Sequence, residues 1–132
     1  MKSIVVSLLL HTATGFHCQA QSNVGFILKR GEGESLLNGI VIKASPKTGT
    51  ERSIMAEQTF PKGGTTNLHI HEQGDELFYV VSGKGMATLG DNTEEIGHGD
   101  VIFVPKGAVH VIQNLNYDEP LKVVFLWKAL SW

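Results

Sequence analysis

Short apolar and alternating runs fill most of this chain, each closed by a cluster of turn formers. Successive side chains of a strand point to opposite faces, so such runs read as β-strands packed on a core. On this pattern strands are expected at Gly25–Lys29, Gly39–Lys43, Arg52–Phe60, Thr66–His71, Glu76–Ser82, Gly85–Leu89, Asp100–Pro105, Val109–Asn114 and Leu121–Lys128. The separators include Pro46 to Gly49, Pro61 to Gly64, Gln73-Gly74-Asp75, Gly90-Asp91-Asn92, Gly97 to Asp100 and Asp118 to Pro120. Gly31 to Leu37 is expected to form one short helical turn, and no stretch after the N-terminal segment carries a long helical period. Short, regularly spaced strands point to an all-β sandwich or barrel.

Composition narrows the function classes. The 132 residues suit one domain, and 15 glycines fit a fold rich in tight turns. A formal charge of -2, with Arg30 and Arg52 as the only arginines, leaves no basic patch for nucleic acid. The N-terminus reads as a secretory signal peptide over residues 1–20, with Lys2 before the apolar run Ile4 to Leu10 and cleavage expected after Ala20. That run is too short to span a bilayer as a helix. The protein is therefore expected to be exported, periplasmic or secreted, with a single domain over 21–132 and no membrane association after processing. The processed chain would lack cysteine, because Cys18 is the only one, so disulfides and thiolate chemistry would be excluded.

Glycine-rich spots do not read as nucleotide loops. Gly31-Glu32-Gly33 precedes no long helix and carries a glutamate that would repel phosphate, and Gly83-Lys84-Gly85 lies between two β runs as a hairpin turn. The chemistry lies elsewhere. His69 and His71 are one residue apart in a β run, so they share a face and can grip one ion. Glu76 opens the next run after Gln73-Gly74-Asp75, and a hairpin would bring it back beside the two histidines, with Phe78 and Val80 on its face. His110 opens a later strand behind Pro105 and Gly107, with Ile112 on its face. It is placed to supply a third imidazole from opposite the first pair.

These residues stand in two spaced motifs. Gly63, His69, His71, Glu76 and Gly83 form the first, and Gly99, Pro105, Gly107, His110 and Asn114 form the second, with fifteen residues between Gly83 and Gly99. Both closely resemble the two motifs of the cupin family, matching it in ten fixed positions. The resemblance implies a double-stranded β-helix, the jelly-roll barrel. It also implies one divalent transition metal ion held by His69, His71, Glu76 and His110, with Asn114 structural. Three imidazoles and a carboxylate suit Fe, Mn, Ni, Cu or Zn better than Ca or Mg. A six-coordinate ion would keep two positions open, which permits Lewis-acid or redox chemistry. Glu76 could then leave the ion and act as a catalytic base.

The resemblance leaves open whether this chain is an enzyme. If it is, dioxygenase-type chemistry on a small organic molecule is favoured over isomerase, lyase or decarboxylase chemistry. Thiol dioxygenation is disfavoured because that branch generally lacks the motif glutamate, and oxalate-type chemistry because the chain is short and poor in arginine. The alternative is a non-catalytic protein that binds a small molecule or metal, since one fold serves many functions. A homodimer paired through its sheets is also implied, with Leu121 to Trp132 as a candidate packing segment.

Other conspicuous residues read more plainly. His98 belongs in a solvated turn, Glu72 and Asp75 in an exposed one, and Glu94-Glu95 at a solvated strand end. Arg52 reads as a surface residue rather than an anchor for an anionic substrate. Phe60, Phe78, Met86, Phe103, Ile112 and Trp127 are expected in the core or pocket lining, making a narrow, largely apolar cavity.

Overall fold

A computed structural model describes residues 25–129 of the protein. The expected signal peptide and Leu130 to Trp132 lie outside the described residues. The strands are β1 (Glu34–Ser35), β2 (Ile40–Ala44), β3 (Ser53–Phe60), β4 (Gly64–Thr65), β5 (Gly74–Ser82), β6 (Lys84–Leu89), β7 (Asn92–Gly97), β8 (Val101–Val104), β9 (His110–Asn114) and β10 (Leu121–Ala129). A single 3-10 turn at Pro46–Thr48 joins β2 to β3.

The strands build two antiparallel sheets. One runs β1-β2-β3-β10-β5-β8 and the other β4-β9-β6-β7. Non-consecutive neighbours such as β10 between β3 and β5 mark the jelly roll, in which the chain crosses repeatedly between sheets. Alternation in the sequence decides what faces inward. Along β5, Gly74, Glu76, Phe78 and Val80 are buried while Asp75, Leu77 and Tyr79 are exposed. The core joins Phe78, Val80, Ile102, Val104 and Val123 of the larger sheet to Ala87, Ile96 and Ile112 of the smaller. Burial of such side chains is worth roughly 1.5–3 kcal/mol each.

Two turns show why glycine stands where it does. Gly83 has φ 77°, and a Cβ there would lie 2.1 Å from the carbonyl oxygen of Pro120. Gly39 has φ 72°, with the Thr59 carbonyl oxygen 2.5 Å from where a Cβ would sit. Only glycine allows both the conformation and the approach.

The structure corrects several expectations. Gly25–Lys29 forms no strand. Phe26 and Ile27 are exposed, so an apolar run alone could not create a pairing partner. Gly31 to Leu37 is not helical but contains β1, pairing Glu34 with Ile42 and Ser35 with Val41. Gly31 and Gly33 adopt positive φ, which breaks a helix. The region Thr66–His71 is mostly irregular: the strand β4 ends before it at Thr65, and its own bridge pairing is that of His69 with His110. Strand β7 was unexpected because Asn92 to Glu95 are polar and exposed, and only Ile96 is buried. It is an edge strand, and charge on an edge blocks pairing with another chain. Met86 is only half-buried, and Phe103 points outward, because each occupies the outer phase of its strand.

Candidate metal centre

Each of the four residues arrives by a different local device. His110 is the first residue of β9, and it exchanges backbone hydrogen bonds with His69, at 3.1 Å from its own N–H and 3.5 Å from that of His69. His71 follows two residues later, and its carbonyl accepts the Gly107 N–H at 2.9 Å. Glu72 and Gln73 then carry the chain across to the opposite sheet, where Glu76 points inward from β5. The expected hairpin is therefore absent. His110 belongs to the smaller sheet with His69 bridged to it, Glu76 belongs to the larger, and they converge across the barrel. His110 likewise stands beside His69, and it is Glu76 that faces the pair from the other sheet.

Convergence is tight. One ligand atom from each of His69, His71, Glu76 and His110 lies within 4.8 Å of the others. The ring centroids of His69 and His110 are 4.2 Å apart, and those of His69 and His71 are 4.9 Å apart. Glu76 Oε2 lies 3.0 Å from His71 Nε2 and 3.1 Å from His110 Nε2. Glu76 and His110 are buried, while the side chains of His69 and His71 are partly open to the cavity.

Backbone carbonyls orient the imidazoles. His69 Nδ1–H donates to the Asn67 carbonyl at 2.6 Å, and His110 Nδ1–H donates to the Ala108 carbonyl at 3.1 Å. Both bonds leave Nε2 as the atom with a lone pair for an ion, the usual supporting arrangement around metal-bound histidine. His71 Nε2 is close to Glu76 but lacks hydrogen-bond geometry, and it is buried without a hydrogen-bond partner. An orphaned buried nitrogen is costly unless something accepts its lone pair, and a divalent cation would do so. The donor set thus fits a transition ion.

The protonation preferences of the two rings that touch Glu76 diverge. Burial pushes His71 below its ordinary value, aided by the charges of His69 and His110 and opposed by Glu76. Burial pulls His110 down as well, but its hydrogen bond to Glu76, the Ala108 carbonyl and the Glu76 charge together raise it. Without an ion, His110 is the ring that shares a proton with Glu76.

A cavity of about 380 Å³ opens in front of these residues. Phe78, Phe125 and Ile40 line it together with Asn38, Gln58, Thr65, Thr66 and Asn67, so it is more polar than the expected apolar slot. Gln58 was overlooked, although its place between Ala56 and Phe60 on the inward phase of β3 marks a polar residue at a core position. Asp75 is exposed as expected, yet it accepts the Lys106 N–H at 2.9 Å and so ties the loop before His110 to the start of β5. Trp127 reaches the site, its ring 5.5 Å from His71. His98 and Arg52 are exposed and do not line the cavity, as expected.

Asn114 anchors the second motif from the core. Its Nδ2 donates to the Phe60 carbonyl at 3.2 Å and the Glu119 carbonyl at 2.9 Å, and its Oδ1 accepts the Tyr117 N–H at 3.1 Å.

Comparison with known proteins agrees with this fold. The quercetin 2,3-dioxygenase of Bacillus subtilis is 34% identical over 91 residues, covering 66% of this chain and 27% of that protein. An oxalate-binding protein of Thermotoga maritima is 35% identical over 75 residues, covering 55% of this chain and 62% of that one. The chain spans about half the length of the first curated relatives it matches, between 47% and 59%. The crystal structure of a cupin protein from Bacteroides fragilis superposes with a TM-score of 0.62 at 19% identity, over 78% of this chain and 87% of that one. The cupin domain itself matches residues 56–127, more than half of the chain, and this protein belongs to the cupin family.

Proposed function

We propose that this protein is a mononuclear metal-dependent enzyme of dioxygenase type, acting on a small organic molecule, with His69, His71, Glu76 and His110 as ligands. The observation that carries the reading is the buried, unsatisfied Nε2 of His71, set within one cluster of three imidazoles and a carboxylate. A bound redox-active ion would supply Lewis acidity and electron transfer to dioxygen. The protein's own part is to position and to move a proton. Glu76 Oε2 is the only carboxylate lining the cavity among the described residues, and it would take the proton from a substrate hydroxyl. Phe78 and Phe125 would hold the apolar part of the substrate and keep water from it. The likeness to a quercetin 2,3-dioxygenase supports this reading. The likeness to an oxalate-binding protein favours a second one, capture without turnover.

Elemental analysis of protein made without a metal-binding tag is the first test. About one transition ion per chain is expected, with His69→Ala losing most of it. A metal-free preparation whose His69→Ala variant keeps its full stability would remove both readings. Oxygen uptake over a panel of small phenols and diketones then separates turnover from capture.

Two further parts of the reading concern the whole chain. Export is supported by Lys2 and the apolar run Ile4 to Leu10, and Met1 found at the N-terminus of exported protein would remove it. Homodimer formation is supported by the outer face of the larger sheet. There Met55, Leu126, Leu77 and Phe103 align in one row across β3, β10, β5 and β8, and all are exposed. Contiguous exposed apolar surface of this kind usually marks an interface.

A further inference from the structure

The wall of the cavity opposite the histidines carries a selectivity that the metal ligands do not explain. Gln58 points into it from β3 and is only 5% exposed. Among the described residues its side chain makes one hydrogen bond, a long one of 3.4 Å from Nε2 to the Asn38 carbonyl. A primary amide has two N–H donors and a carbonyl acceptor, so most of its capacity is left facing the cavity. A buried amide with so little satisfied is costly unless a ligand or water completes it.

The neighbouring hydroxyls are partly committed, Thr65 as a donor and Thr66 as an acceptor, which leaves Thr66 its own O–H. Thr65 donates to the Thr66 carbonyl at 2.8 Å, and Thr66 Oγ1 accepts the Ile112 N–H at 3.0 Å. The groups left to meet a ligand are therefore neutral, Gln58 first as the one buried amide of this wall, with the Thr66 hydroxyl and the more exposed Asn38 and Asn67. No lysine or arginine lines this cavity among the described residues. A ligand carboxylate pushed against this wall would lose its water and find no counter-charge. A hydroxyl or carbonyl would lose its water and find an amide.

We propose that Gln58 is a specificity-determining residue that selects ligands uncharged at the end remote from the histidines and bearing a hydroxyl or carbonyl there. The inference deepens the proposed function and rests on it. The substrate class that follows is a neutral, oxygen-bearing molecule with an apolar or aromatic body, seated between Phe78 and Phe125 on one side and Gln58 at its far end.

Two probes with the same catechol head test this, 3,4-dihydroxybenzyl alcohol and 3,4-dihydroxybenzoate, which differ in a remote hydroxyl against a remote carboxylate. Binding is measured by calorimetry on zinc-loaded protein, since zinc does not oxidise catechols. The native chain is expected to bind the alcohol at least about tenfold more tightly than the acid, because a site built on hydrogen bonds rejects what leaves them unmade. Gln58→Leu should lose about tenfold on the alcohol, and Gln58→Arg should shift the preference toward the acid. Equal binding of the two probes, preference for the acid, or binding of neither by the zinc-loaded native chain overturns the proposal. So does a Gln58→Leu variant that holds zinc and keeps the full preference. Should a Gln58 variant fail to fold, the native pair of measurements still decides. Zinc content separates the two levels: a chain that holds no ion fails the proposed function, whereas one that holds zinc without selectivity fails only this inference.

Discussion

His110 and Asn114 lie four positions apart on the inward face of β9 and do different work, one bonding to Glu76 and the other to surrounding backbone. Asn114 is fully buried and serves two carbonyls and one N–H from three places in the chain. Asn114→Ala would strand all three groups. A loss of about 3 kcal/mol in unfolding free energy is expected by denaturant titration, near the upper range for one substitution. His110 sets a pH dependence instead. Its pKa is raised in the ion-free protein, so it keeps a proton to higher pH than an ordinary imidazole, whose value is about 6.5. An incoming ion must displace that proton. Zinc affinity should therefore rise with pH up to and through a value above about 6.5, by up to tenfold per unit, with proton release measurable by calorimetry in two buffers. The same group makes the ion-free fold more stable below its unfolded value, and that gain is lost as pH rises through the raised one. His71, lowered by burial, has the contrary sign: its contribution is present above the unfolded value and is lost as pH falls through the lowered one.

At the scale of elements, the site depends on a short irregular segment held between two sheets. Residues 66–73 contribute two imidazoles with almost no ladder pairing of their own, so their order comes from Thr66 bonding to Ile112, His69 to His110 and His71 to Gly107. The Gly107 loop is in turn tied down through Lys106 by Asp75. Asp75→Ala should weaken zinc binding roughly tenfold, as loss of a supporting hydrogen bond does, while lowering stability by less than about 1 kcal/mol. Competition titration against a chelator, beside a denaturant curve, checks both halves. A stability loss as large as that of Asn114→Ala would show that the carboxylate is structural instead. Element by element, strands with a clean alternation were legible to within a residue or two, as at Arg52–Phe60, which became Ser53–Phe60, and Leu121–Lys128, which became Leu121–Ala129. Strand β7 was not, because an edge strand that buries only Ile96 has no apolar face to display.

For the whole molecule, the larger sheet is apolar on both sides, a feature that separate strands do not reveal. Its inner side packs on the smaller sheet, while the outer side leaves the row from Met55 to Phe103 exposed. If that face joins two copies, Leu126→Glu should give a monomer by sedimentation at concentrations where the native chain is dimeric, because it puts a charge at the centre of the row. Zinc content should be unchanged, since Leu126 faces away from the cavity. A native chain that sediments as a monomer throughout would dispose of the dimer.

The order of the residues by itself determined the two motifs, the all-β class and the identity of the four clustered side chains. Spacing and alternation are local properties, and both are written in consecutive positions such as His69, His71 and Glu76. Tertiary structure alone decided how these residues meet. A hairpin and a crossing between sheets are equally compatible with the turn Gln73-Gly74-Asp75, and only the pairing of His69 with His110 on the smaller sheet selects the crossing. It alone also placed Gln58 and Asn38 around one cavity with the histidines, because segments on separate strands become neighbours only when the barrel closes. The ligand cluster was thus legible as a pattern, but the wall that faces it arises from distant segments, whose contacts no local periodicity records.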